Sequence, residues 1–157
     1  MKEGDITDVQ TIGEVVHPDY PEDLAIIAER LRLYPPGCLV LASDQGVQGY
    51  AVAHPYLFGQ APRLNVLLES LPARADTLHI HDLALLPHVR SGGLGAMAVG
   101  LLARQAELSG LTKMSLVAVG NSQRFWARHG FQALQQENTA AALSSYKGAT
   151  LMVRVLA

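Results

Sequence analysis

The sequence predicts a mixed α/β domain in which helices flank a single sheet. Helical and strand patterns succeed one another as two helices, a hairpin, a strand, a helix, a strand, a helix and two strands, an order typical of mixed α/β sheets. The chain has 157 residues, enough for one domain with a sizeable core. Apolar residues make up 49% and charged residues 17%, which argues against disorder. We therefore expect residues 1–157 to form a single domain.

Two amphipathic helices are predicted at the start of the chain. The first covers residues 7–16, with Thr7 or Asp8 as its cap, and prolines within 18–21 interrupt the pattern. The second covers residues 21–33, where apolar residues recur at helical spacing and two acids lie in the first turn.

Strands and a long loop follow. Residues 38–42 and 47–54 read as a hairpin around a polar turn, and residues 77–86 read as the next strand. The segment 55–76 lacks a regular pattern, although a short element is expected around 64–69. Loops of this length in compact domains are usually functional, and we expect 17–23 and 55–76 to border a substrate.

The remaining elements are predicted from periodicity and from helix-ending residues. Their ranges are a helix over 94–108, a strand over 113–119, a helix from Asn121 or Ser122 to His129, and strands over 131–134 and 150–156.

Charge and cysteine content restrict the function classes. The formal net charge of −2 gives no electrostatic footprint for nucleic acid, and the single Cys38 excludes an internal disulfide. The first ten residues do not resemble a signal peptide, and the apolar runs are too short to cross a membrane. We expect a cytoplasmic monomer or homodimer that binds neither nucleic acid nor membrane.

The segment 85–96, Leu-Leu-Pro-His-Val-Arg-Ser-Gly-Gly-Leu-Gly-Ala, joins a strand to a helix. Such a turn presents several backbone N–H groups at a helix N-terminus, which favours an anion. Gly93 and Gly95 carry no Cβ, so a phosphate can approach the backbone closely. Arg90 adds a forked cation.

Two other phosphate-binding loops fit this segment less well. A Walker loop ends in Gly-Lys-Ser/Thr, whereas Ala96 and Met97 follow the last glycine here. A dinucleotide fingerprint is formally present, but the stretch 113–121 contains no carboxylate to bind a ribose.

The spacing Arg-x-x-Gly-x-Gly resembles the pyrophosphate loop of the GNAT superfamily of acyl-CoA-dependent N-acyltransferases. Two later blocks resemble the same superfamily in the right order: 121–131, Asn-Ser-Gln-Arg-Phe-Trp-Ala-Arg-His-Gly-Phe, and 146–156, similar to its closing strand. The resemblance implies a mostly antiparallel sheet with splayed central strands and about four flanking helices. It also implies acetyl-CoA as co-substrate in the gap between those strands, with no metal.

The resemblance assigns roles along the gap. Backbone groups of residues 83–85 would pair with the pantetheine arm, and the N–H of Leu85 would stabilise the oxyanion. Asn121 would hold the pantetheine amides, and Phe125 and Trp126 would line the channel. The implied cofactor residues are Leu83, Ala84, Leu85, Arg90, Ser91, Gly92, Gly93, Leu94, Gly95, Ala96, Asn121, Phe125 and Trp126.

The strand 78–85, Leu-His-Ile-His-Asp-Leu-Ala-Leu, is similar to the His-x-His strand of the arylalkylamine N-acetyltransferases. Residues two apart on a strand share a face at roughly 7 Å, so one water can bridge His79 and His81. An amine of pKa about 10 is neutral in only ~1 molecule per thousand at pH 7, so a base is useful. The alternative is one packed histidine and one solvated histidine. Asp82 is expected on the opposite face, orienting a backbone or a helix end.

The chain departs from the superfamily at Trp126, where many members have a Tyr that protonates the leaving thiolate. An indole is a poor proton donor for this step, so solvent or another hydroxyl such as Tyr146 would supply the proton. The sequence thus favours acetyl transfer from acetyl-CoA to an amine of a small molecule or peptide. A non-catalytic acyl-CoA sensor and a metal protein using His79, His81, Asp82 and His88 are the alternatives.

Overall fold

The computed structural model describes residues 1–135 and 139–157. Within these ranges a sheet of six strands is flanked by five α-helices. The strands are β1 (Cys38–Ser43), β2 (Gly46–Tyr56), β3 (Thr77–Leu85), β4 (Lys113–Ala118), β5 (Gln132–Ala133) and β6 (Thr150–Val155). The helices are α1 (Ile6–Val16), α2 (Leu24–Leu33), α3 (Leu94–Leu108), α4 (Gln123–Arg128) and α5 (Thr139–Ala142).

The sheet has the strand order β1-β2-β3-β4-β6-β5. All neighbouring strands are antiparallel except β3 and β4, which are parallel. The predicted fold class, a mixed and mostly antiparallel sheet, is therefore confirmed. None of the helices in the described ranges is long and apolar enough to cross a membrane.

The central strands β3 and β4 separate after a short paired region. In the described structure they pair only where Leu78–Ile80 face Met114–Leu116, although β3 continues to Leu85 and β4 to Ala118. Beyond that point their backbone groups face a gap in the sheet. Unpaired backbone N–H and C=O groups need partners, so an open sheet edge of this kind suits a ligand that binds as an added strand.

Helices cover both faces of the sheet because side chains on β2 alternate between its two sides. On one face, α1 and α2 pack against Tyr50, Val52 and Ala84. On the other face, α3 and α4 pack against a cluster that includes Ala51 and Ile80.

The loop between β2 and β3 differs from the prediction, because it contains no helix or strand around residues 64–69. The carboxylate of Glu29 on α2 instead accepts the N–H groups of Leu68 at 2.7 Å and Glu69 at 2.8 Å. Positive φ angles at Asn65 (56°) and Glu69 (64°) also interrupt regular structure. Side chains of α2 thus satisfy backbone groups that a local element would otherwise have paired.

Candidate active site

The gap between β3 and β4 opens into two adjoining clefts. The large cleft has a volume of about 610 Å³ and reaches the start of α3. The small cleft has a volume of about 130 Å³ and includes Ile80 and Leu116, where the strand pairing ends. The two clefts meet, because the same residues line both: His17, Tyr20, Leu83, Val119, Ser122 and Phe125.

The large cleft ends at the turn that precedes α3. Residues Pro87–Gly92 form a short 3₁₀ turn, and Gly93, with φ of 71°, is the N-cap of α3. A left-handed residue at this point favours glycine. The first N–H groups of a helix have no partner within it, and Gly93, Gly95 and Ala96 line the cleft here. This end of the cleft is therefore suited to an anion.

Arg90 and Gly95 complete this end of the large cleft. The exposed Arg90 donates from Nε to the carbonyl of Leu85 at 2.9 Å, which ties its guanidinium to the end of β3. A Cβ on Gly95 would lie 3.0 Å from Cζ of Phe125. The absence of a side chain at Gly95 thus lets the Phe125 ring pack onto the start of α3.

The edge of β3 presents alternate residues to the large cleft. The N–H of Leu86 donates to the carbonyl of Gln48 at 3.0 Å, on the β2 side. Because successive N–H groups of an extended chain point to opposite edges, the N–H of Leu85 faces the gap. Leu83 and Leu85 line the cleft. Ala84, between them, is buried beside Tyr50 of β2 and is not among the residues that line the cleft.

The other predicted cofactor residues occupy several different places. Asn121 and Phe125 line the large cleft, whereas Trp126 lines the small cleft. Ser91 and Gly92 are exposed in the turn before α3. The side chain of Leu94 lies in a separate groove against β1 and β2.

A β-bulge in β3 determines which side chains reach the small cleft. Val52 pairs with Asp82 and Ala53 pairs with Ile80, so His81 is the extra residue between them. A bulge places two residues opposite one and interrupts the alternation of faces. Asp82 therefore lines the small cleft together with His81. The expectation that Asp82 faces away from His81 is wrong.

Asp82 is held by two donors. Its Oδ2 accepts the hydroxyl of Tyr50, and its Oδ1 lies 3.1 Å from Nε2 of His17, the residue after α1. Burial alone would raise the pKa of Asp82, but the hydrogen bond and charge of His17 outweigh it, so the pKa is lowered. Asp82 is thus an ionised carboxylate that holds the side chains of Tyr50 and His17 inside the site.

A second carboxylate–imidazole pair lines the small cleft. Nε2 of His81 lies 2.6 Å from Oε1 of Glu22, and Oε2 of Glu22 accepts the N–H of Asn65 at 3.0 Å. Burial tends to raise the pKa of Glu22, but the charge and hydrogen bond of His81 lower it overall. Nδ1 of His81 is buried, without a hydrogen-bond partner in the described part of the chain.

His79 lies behind this pair rather than in either cleft. Its side chain is 1% exposed, and its Nδ1 lies 3.0 Å from Oγ of Ser115 on β4. Burial lowers its pKa well below the usual value, so His79 is neutral. The ring of His54, which sequence analysis did not single out, lies 5.8 Å from that of His79 and 6.0 Å from that of His81.

Tyr146 is buried and lines the small cleft. Its ring lies 6.2 Å from that of Tyr20. Burial, and then the nearby negative charges of Glu22 and Asp82, raise the pKa of Tyr146. Its hydroxyl is therefore protonated at neutral pH.

The segment 17–23 borders the site, as expected, through His17, Tyr20 and Glu22. The individual roles of His17 and Glu22 were missed. The signal available in the sequence was a histidine and two acids beside the prolines that end a helix. Within residues 1–135 and 139–157, no group of three or more His, Cys, Asp or Glu side chains is arranged to hold a metal ion. His88 instead contacts Gln48 at 2.6 Å.

Several solved structures have the same fold. Ard1 from Thermoplasma volcanium is 17% identical with a TM-score of 0.75, over 100% of this chain and 95% of that chain. GphF, a GNAT-like decarboxylase in complex with isobutyryl-CoA, is 16% identical with a TM-score of 0.78, over 100% of this chain and 97% of that chain. N-acetylglutamate synthase from Neisseria gonorrhoeae, in complex with coenzyme A and N-acetyl-glutamate, is 17% identical with a TM-score of 0.76, over 99% of this chain and 34% of that chain.

At these identities the similarity concerns the fold alone. No curated protein sequence matches the chain. The model of the acetyltransferase (GNAT) family matches residues 6–131, which is most of the chain and includes the separating strands and the turn before α3. The chain belongs to the acetyltransferase (GNAT) family.

Proposed function

We propose that the protein is an N-acetyltransferase that transfers the acetyl group of acetyl-CoA to a primary amine of a small molecule or peptide. The observation that supports this most directly is the junction of the two clefts. A cleft with an anion-binding end opens beside a smaller one lined by two carboxylate–imidazole pairs.

Acetyl-CoA would occupy the large cleft. Its pyrophosphate would lie against Arg90 and the free N–H groups at the start of α3, where Gly93 and Gly95 leave the backbone open. Its pantetheine arm would run along the free edge of β3 at Leu83 and Leu85, as an added strand. The N–H of Leu85 faces the gap, so it would donate to the thioester oxygen as negative charge develops there.

The acceptor amine would occupy the small cleft. Glu22 and His81 line it and would together accept the proton that the ammonium must lose before its nitrogen can attack. Holding an amine of pKa about 10 neutral at pH 7 is worth roughly 4 kcal/mol. The nitrogen then attacks the thioester carbon, loses its second proton, and the C–S bond breaks. Neutral His79, hydrogen-bonded to Ser115, would support this arrangement from behind.

The walls of the small cleft support an arylalkylamine as acceptor. Tyr20, Phe125, Trp126 and Tyr146 line it, and its volume is about 130 Å³. A cavity of about 150 Å³ accommodates benzene, so the small cleft has room for an amine with about one aromatic ring.

One observation favours a non-catalytic acyl-CoA sensor instead. Trp126 stands where the resemblance implies a Tyr proton donor, and no indole replaces that acid. Solvent is another source of this proton. The hydroxyl of Tyr146 is a further source, since Tyr146 lines the small cleft.

The test is an assay of CoA release over a panel of acceptors. Purified protein is mixed with acetyl-CoA and with arylalkylamines, polyamines, amino acids or peptides with a free N-terminus, and the free thiol is measured. We expect release that depends on one class of amine and falls in His81→Gln but not in His88→Gln, which changes a histidine outside both clefts. Tight acetyl-CoA binding without release for any amine would favour the sensor.

A further inference from the structure

His17 lies where the two clefts meet. It lines the large cleft together with Leu85 and Arg90, and it lines the small cleft together with Glu22 and His81. Its side chain is 25% exposed. If acetyl-CoA occupies one cleft and the amine the other, the thioester sulfur must lie at this junction. His17 is therefore beside the reacting bond, a conclusion that rests on the proposed function.

The imidazole of His17 is held in one orientation. Its Nε2 lies 3.1 Å from Oδ1 of Asp82 and 3.4 Å from the carbonyl oxygen of Leu83. Both partners are acceptors, so Nε2 carries a hydrogen. Nδ1 is the ring nitrogen that these contacts leave for another partner. In hydrolase triads, too, an Asp holds one ring nitrogen and leaves the other to react, although there the Asp binds Nδ1.

Asp82 is itself fixed from the buried side of the sheet. The hydroxyl of Tyr50, a residue 5% exposed, donates to Oδ2. That hydroxyl has room because residue 13 is glycine, where a Cβ would lie 2.8 Å from it. Tyr50 and Gly13 thus position Asp82, which in turn positions His17.

We propose that His17, as an imidazolium paired with Asp82, is the acid that protonates the departing thiolate of CoA. In this step the C–S bond of the tetrahedral intermediate breaks, its electron pair stays on sulfur, and a proton moves from His17 to sulfur. Neutral His17 regains a proton from solvent. The Glu22–His81 pair has by then released the ammonium proton to solvent, so it can accept the extra proton of the acetylated nitrogen and release that proton to solvent in turn. The products are the amide and CoA thiol.

The acidity of His17 suits this role better than that of Tyr146. Burial lowers the pKa of His17, but the hydrogen bond and charge of Asp82 outweigh it, and the pKa is raised. A thiol has a pKa of about 8.5, an ordinary His about 6.5 and an ordinary Tyr about 10. Proton transfer to a thiolate is therefore favourable from an ordinary imidazolium, and the raised pKa of His17 makes it less so. From Tyr146, whose pKa is raised further, it is unfavourable.

Other charged groups face His17 from the neighbouring elements. Arg90 opposes the effect of Asp82 and lowers the pKa of His17. The acidic side chains that share a cavity with it are Glu14, Asp19, Glu22 and Asp82. The basic side chains that do so are His81, Arg90 and His129.

The test compares His17→Gln with His88→Gln in the complete protein, using the best amine from the panel. We expect kcat to fall by about 10²-fold in His17→Gln, the low end for loss of a general acid, with acetyl-CoA affinity close to that of the parent. His88→Gln should keep the parent rate. Because His17 is partly exposed, free imidazole should restore part of the rate to His17→Ala, which a merely structural role does not predict.

The pH profile gives a second readout that needs no variant. Since the imidazolium is the active form, kcat of the parent should decline at alkaline pH as one group with a pKa above 6.5 loses its proton. A parent kcat that stays flat to pH 10 would overturn the inference, even if His17→Gln failed to fold.

The outcomes separate the inference from the proposed function. A normal kcat in His17→Gln, with a loss in Tyr146→Phe, would make Tyr146 the acid and leave N-acetyl transfer intact. Absence of CoA release in the parent with every amine would contradict the proposed function itself.

Discussion

The sharpest test of the cofactor site compares two glycines at opposite ends of α3. Gly93 and Gly110 have the same φ of 71°, and a Cβ on either would meet no heavy atom of the described structure within 4 Å. Only Gly93 lines the large cleft. The substitutions Gly93→Glu and Gly110→Glu therefore impose the same backbone strain and add the same charge, but in different surroundings.

The expected magnitudes follow from these facts. A residue with a Cβ at positive φ costs about 1–2 kcal/mol, which lowers Tm by about 2–8 °C for a domain of this size. Both variants should show this loss, in smaller measure for Gly93→Glu, because a carboxylate is favourable near the N-terminus of a helix and unfavourable near its C-terminus. A carboxylate about 6 Å from each of two phosphates adds roughly 1.4 kcal/mol of repulsion even at the dielectric constant of water, or about tenfold in affinity. Only Gly93→Glu should show this second loss.

The assay is calorimetric titration of acetyl-CoA into each variant, with thermal unfolding recorded on the same preparations. We expect the Kd to rise at least about tenfold in Gly93→Glu and to stay near the parent value in Gly110→Glu. Equal affinities in two folded variants would refute the reasoning and move the pyrophosphate elsewhere.

Three further predictions concern the site and its stability. His81→Gln should lower kcat/KM relative to the parent at neutral pH, and this deficit should shrink at alkaline pH, where the amine is already neutral; an equal deficit at every pH would contradict the role of His81 as a base. His79→Gln should lower Tm through its buried bond to Ser115 and change the pH profile little; a profile like that of His81→Gln would contradict this. Because the pKa of Asp82 is lowered, its carboxylate stabilises the fold above the ordinary Asp pKa of about 3.9, and this stabilisation is lost as the pH falls. The difference in Tm between the parent and Asp82→Asn should therefore become smaller in acid. A constant difference from pH 7 to pH 3 would contradict this.

Local patterns in the sequence were enough to predict most of the elements. The strand 77–86, the helix 94–108 and the strand 113–119 match β3, α3 and β4 within one residue at each end. Their apolar periodicity and the glycines that flank α3 are properties of neighbouring residues, so they can be recognised without the fold. The turn before α3 was predicted for the same reason.

Contacts between distant segments decided the rest. The loop at 64–69 takes no regular form because Glu29 and Arg30, more than thirty residues earlier, bind its backbone. The orientation of Asp82 depends on the register of β3 against β2, where a single extra residue at His81 interrupts the alternation. The alternation of side chains along β3 contains no information about how β3 pairs with β2.

The sequence by itself determined the fold class, the positions of the central strands and the helix-start turn, because these depend on local periodicity and backbone preference. The tertiary structure alone brought Glu22 to His81 and His17 to Asp82, pairs separated by 59 and 65 positions along the chain. It also placed His79 behind the site and His17 at the junction of the clefts. The physical reason is that the chemistry of a side chain depends on its burial and its charged neighbours, which only the folded chain supplies.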